Sequence, residues 1–83
     1  MKENLQRGIN NGVYRDTINI EFVSRIYFTG LTGIKDGEIF PKEIFDVQDV
    51  IRQYLEYHLR GIVTEKGLGI LNDILNKENI RIN

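Results

Sequence analysis

The chain has no cysteine. It therefore holds no disulfide, no thiolate zinc site and no thiol nucleophile. That absence fits a reducing cytoplasm. Long apolar runs are missing as well. A membrane-spanning helix needs about 20 apolar residues in succession, and the longest run here is a few. The same shortage leaves no core for a signal peptide. No charge of one sign prevails: 11 lysines and arginines interleave with 12 aspartates and glutamates, giving a net charge of -1. A phosphate-binding surface is built on a basic stripe, and none is found. Proline occurs once, as Pro41, and histidine once, as His58. One histidine and scattered carboxylates supply no nucleophile–base arrangement, no His/Glu metal spacing and no glycine-rich phosphate loop after a strand. The composition points away from an enzyme, a membrane span and direct contact with nucleic acid.

What is present is helical periodicity. The 83 residues suffice for one small domain or part of a larger one. No segment alternates apolar and polar over useful length, so the sequence predicts an all-α chain of four helical segments, at residues 1–12, 19–36, 46–63 and 64–78. Residues 1–12 read as the end of a helix, with Leu5 and Ile9 on one face and Gly12 suited to a left-handed stop before Val13. Asn19 can cap the second helix and Asp46 the third. Thr64 can cap the fourth, with almost no loop before it. The tail "KENIRIN" has no strong pattern and is expected to fray. The loop "EIFPKEIF", residues 38–45, is unusually apolar and is expected to tuck against helices.

The third helix carries the main anomaly. Asp49, Arg52, Gln53, Glu56 and Arg60 share one narrow polar arc. Everything opposite is apolar or aromatic, over roughly 200°, about twice what an ordinary surface helix presents. The fourth helix adds Leu68, Leu71, Ile74 and Leu75. The rest of the chain cannot cover so much surface, and the economical solution is a second copy: the last two helices of each subunit build a four-helix bundle about a two-fold axis. The expected dimer interface comprises Ile51, Tyr54, Leu55, His58, Leu59, Ile62, Leu68, Leu71, Ile74 and Leu75. Gly61, Gly67 and Gly69 could let backbones approach closely; the plainer reading makes Gly61 a turn residue and Gly69 a surface position. His58 could contact a ligand, sense pH or act as a base, but a packed, hydrogen-bonded histidine is the simpler reading. Asp46 and Asp49 resemble a metal pair, yet capping explains both and no third ligand is near. No metal site, catalytic residue, DNA-binding residue or cofactor is expected.

Three stretches together carry a resemblance: "GINNGVYRDTINIEFVSRIYF", "IFPKEIF" and "YLEYHLRGIVTEKGLGIL". In order and spacing they resemble the C-terminal regulatory region of TetR-family transcriptional regulators, of the kind common in Bacteroidetes-type bacteria. The resemblance runs from about Leu5 to Leu75. It implies a cytoplasmic bacterial homodimer whose last two long helices form the dimerisation bundle. It also implies part of a ligand-binding domain, with Tyr27 and Phe28 as possible effector-pocket residues. Family members are about twice as long or more, and begin with a helix-turn-helix domain that nothing here matches. The chain is therefore expected to be a fragment of a ligand-responsive repressor, meeting DNA only through a missing N-terminal domain. The alternative expectation is an autonomous small helical homodimer that binds another protein through Phe28 and the "EIFPKEIF" loop.

Overall fold

The computed structural model describes residues 2–82, with side chains through residue 78. Among these residues the chain forms four α-helices: α1 (Lys2–Asn10), α2 (Ile20–Asp36), α3 (Val47–Arg60) and α4 (Glu65–Ile82). The expected all-α class is observed. Helix α4 continues past residue 78, where the sequence pattern ran out. The predictions for Met1, for Asn83 and for the side chains of residues 79–82 lie outside the described residues.

The helix ends follow local chemistry. Asn19 accepts the Phe22 amide at 2.9 Å to open α2, and Asp46 accepts the Gln48 amide at 3.1 Å to open α3. Thr64 accepts the Gly67 amide at 3.1 Å at the start of α4. Helix α1 closes in a Schellman turn. Val13 donates to the Gly8 carbonyl at 2.8 Å and Gly12 to Ile9 at 3.0 Å, with Gly12 at φ 73°. Gly37, at φ 84°, stops α2.

Helices α2 and α3 run antiparallel and form the main packed pair, and α1 packs on α2. At one end Leu5, Val23 and Ile62 are buried together, flanked by Tyr14, Ile18, Ile20 and Leu59. Toward the other end Ile34 and Val50 are buried. Lys2 and Arg25 both pair with Glu21, linking α1 to α2, and hold that carboxyl below its ordinary range. These groups are exposed, so the pairs contribute little.

A second junction joins distant parts of the chain. The α1–α2 linker pairs with the α3–α4 turn through an antiparallel bridge between Tyr14 and Val63. Arg15 donates its amide to the Ile62 carbonyl and Thr64 its amide to Val13, both at 2.9 Å. The Thr64 hydroxyl lies 2.6 Å from the Gly12 carbonyl, and the Arg15 guanidinium donates to the Gly61 carbonyl at 2.8 Å. Lys66 reaches the Asn11 carbonyl at 2.8 Å. Residues 8–15 and 61–67, which lie within two of the three stretches that carry the resemblance, thus form one clasp. Gly67 belongs to it: a methyl group there would overlap the Val13 carbonyl.

The resulting molecule is thin, with extents of 41 × 34 × 16 Å. The shortest of these is less than half the longest, so the molecule is flat. Helix α4 is held at its start by the clasp, and further along an open groove separates it from α3. Across that groove Arg60 of α3 donates to the Asn72 side-chain oxygen of α4 at 3.2 Å.

Candidate functional site

Helix α3 occupies the middle of the layer, between α2 and α4, and one side chain stands out from it. Tyr57 is 80% exposed. Three grooves meet at it. The first, about 740 Å³, lies between α3 and α4 and is polar, with Arg52, Glu56, Arg60, Asn72 and Asn76 on its walls. The second, about 600 Å³, runs between α2 and α3 past Gly30, Gly33, Ile39, Phe40 and Phe45. The third, about 640 Å³, continues along the same pair past Ile18, Phe22, Ile26 and His58. The last two are lined mainly by apolar side chains.

Tyr54 divides the two apolar grooves. Its ring crosses from α3 to α2 and its hydroxyl sits 3.1 Å from the Ile26 carbonyl and 3.0 Å from that of Tyr27. The crossing requires Gly30, where a methyl group would overlap the Tyr54 ring. Burial, with the Tyr27 phenol beside it, pushes the Tyr54 phenol up, so it remains a protonated donor. Tyr27 stacks on Tyr54 at 5.9 Å and meets the His58 ring at 4.9 Å. His58 is half-buried, and its Nε2 is shielded from solvent without a hydrogen-bond partner. The expectation of a hydrogen-bonded histidine is therefore not met at that nitrogen. Burial lowers the pKa of the ring below 6.5, since the charged form would lose its water.

The residues expected at a subunit interface fall into distinct environments. Ile62 and Leu71 are buried by the chain itself. Tyr54, His58 and Leu59 turn toward α2 and the core. Ile51, Leu55, Leu68 and Leu75 are half-buried, and Ile74 is about half exposed. Ile62 and Leu71 thus have little surface left to offer a second copy. Tyr57, absent from that expectation, has the most. Both tyrosines lie on the apolar arc of α3, and no signal in the sequence tells which one turns in.

Tyr27 and Phe28 do not share a cavity. Tyr27 faces α3, whereas Phe28 is exposed beside Lys2, Glu21 and Arg25. The apolar loop is only partly tucked. Phe40 and Phe45 meet edge to face at 5.2 Å, but Ile39 and Ile44 project outward. Asp46 is used by its helix cap, and Asp49 accepts from Gln53 at 2.8 Å. On the polar arc of α3, Glu56 and Arg60 pair at 3.5 Å. No helix among the described residues is long and apolar enough to cross a membrane.

No family model matches the chain, and no curated protein or solved structure matches it.

Proposed function

We propose that this chain is the dimerisation part, and a portion of the ligand-binding domain, of a TetR-like transcriptional repressor in which a segment outside the chain reads DNA. Its role is then non-catalytic: it holds two subunits together and sets the spacing of two DNA-reading heads. The observation that carries the reading is the thinness of the molecule combined with apolar side chains left outside on its last two helices. Tyr57, Ile70 and Ile74 are all exposed on a layer 16 Å thick. Apolar helix faces in a folded domain are buried against another element, and a second subunit supplies that cover. The apolar grooves flanking Tyr54 are suited to a small apolar effector.

The test is the genomic reading frame together with the mass of the protein purified from its native cells. An in-frame helix-turn-helix region upstream, present in the native product, supports the reading. A native product of 9.7 kDa with no such region would overturn it.

A second reading, an autonomous homodimeric interaction module, is favoured by Phe28 and Ile44. These are 70% and 76% exposed and lie outside the grooves around Tyr57. Such a module gives a clean dimer and retains one defined protein partner. A fragment, by contrast, associates into higher aggregates through the surface made for its missing helices.

A further inference from the structure

The two apolar grooves beside Tyr54 differ in charge. The one past Phe40 and Phe45 has no charged residue on its walls. The one past Ile18, Phe22 and Ile26 has Arg15 and Arg60, and no aspartate or glutamate. An apolar trough with cations at one end is the complement of an apolar body with an anionic end. We propose that this second groove takes a small amphipathic carboxylate, its apolar body laid along Phe22 and Ile26 and its carboxylate held by Arg15. The inference rests on the effector reading above and adds the chemical class of the effector.

The contacts across α2 and α3 set the two ends of the groove. Arg15 meets Gly61 at one end, and Tyr54 meets the Ile26 carbonyl at the other. The start of α2 and the end of α3 therefore lie together, and both arginines stand there. The Arg15 guanidinium donates to the Gly61 carbonyl at 2.8 Å, which fixes it in place. Among the described residues no carboxylate pairs with it. Arg60 is more engaged, with Glu56 at 3.5 Å and the Asn72 side-chain oxygen at 3.2 Å. Arg15 is thus the anchor. Its planar fork has five N–H donors, more than one carbonyl uses, and it matches a carboxylate in shape.

The apolar part has a length. From Asn19 to Ile26 the helix rises about 10 Å, at about 1.5 Å per residue. Phe22 and Ile26 stand 63% and 47% exposed along that wall, and the buried Val23 and Ile62 lie beneath them. Tyr54 closes the far end with its hydroxyl turned to α2, so no charge awaits a ligand there. A short alkyl or aryl body covers the two exposed side chains and leaves water as it does so. Affinity then comes from the apolar wall, and orientation from the arginine.

Octanoate and octanol, which share a chain and differ in charge, test the proposal on the whole protein at low ionic strength. Titration calorimetry reads affinity, and methyl NMR shifts at Ile18 and Ile26 read the place of binding. We expect octanoate to bind at one site and move those methyls, with octanol at least about tenfold weaker, the least that a bond to a charged group supplies. Arg15→Gln should weaken octanoate by about tenfold and leave octanol within about threefold. Arg15 also belongs to the clasp, so a second pair of variants avoids it. Phe22 is exposed at the third position of α2, where a carboxylate suits the start of a helix. Phe22→Glu and Phe22→Gln therefore both keep the fold, which circular dichroism checks. Phe22→Glu should bind octanoate at least about tenfold more weakly than Phe22→Gln does, and octanol equally, because only the charge differs. Equal affinity for the two probes, or equal octanoate affinity in the two Phe22 variants, overturns the proposal and leaves a neutral apolar effector in the groove. Binding of neither probe to the folded chain, or shifts confined to other methyls, overturns the groove as an effector site as well.

Discussion

Glycine at position 67 and glycine at position 69 lie on the same helix and have opposite consequences. Gly67 is buried against the Val13 carbonyl, and Gly69 faces open space. Gly67→Ala should therefore cost about 1–3 kcal/mol, because the linker must move to admit a methyl group. Gly69→Ala should add about 0.5–1 kcal/mol, since alanine is the better helix former and nothing resists it. Urea denaturation of the two variants checks both signs. His58 makes the other prediction at this scale. Its pKa in the folded chain lies below the ordinary 6.5 because burial penalises the cation. The unfolded chain therefore takes up the proton first. Stability is full above about pH 7.5. It falls as the pH drops through 6.5 toward the lower folded value, because protons then favour the unfolded state. Arg15 and Arg60 line the same groove and offer the imidazolium no counter-charge. Urea midpoints measured between pH 5 and 8 should show this slope, and His58→Gln should flatten it.

Between elements, the clasp is the device that places α4. Thr64 serves twice, accepting the Gly67 amide and donating toward the Gly12 carbonyl. Thr64→Val keeps the shape and removes both bonds. It should cost about 1–2 kcal/mol, as the loss of a helix cap usually does. Amide exchange should quicken in residues 65–68 and at Arg15 together, because one junction holds both. The caps at Asn19, Asp46 and Thr64 and the glycine stop at 12 were legible in the sequence, since each is a bond between neighbours. The clasp was not, because its partners are some fifty residues apart and meet through backbone groups that every residue carries. The candidate site was half legible for the same reason. The excess of apolar surface on α3 could be counted from its spacing. Which part of it α2 covers depends on Gly30 admitting the Tyr54 ring, a contact across 24 residues. That contact turns Tyr54 inward, and Tyr57, one turn short of its own cover, is left outside.

At the scale of the whole molecule, the quantity that matters is thickness. Among the described residues six apolar side chains are buried, and none of them completely. A core of that size is marginal for a chain of this length. If a second copy supplies the other layer, folding and association become one equilibrium, and stability depends on protein concentration. Unfolding then converts one folded dimer into two unfolded chains, and mass action favours the dimer as concentration rises. With an unfolding enthalpy of about 0.7 kcal/mol per residue, the Tm should climb by about 3–6 °C for each tenfold increase in concentration. Differential scanning calorimetry from micromolar to millimolar protein reads this directly. Replacing Tyr57 and Ile74 together by lysine removes the exposed apolar faces of the last two helices, so the Tm of that double variant should be lower and should no longer move with concentration. A wild-type Tm that stays constant over that range would mean that the thin layer is stable alone, and the exposed face would then have to answer to something other than its own copy.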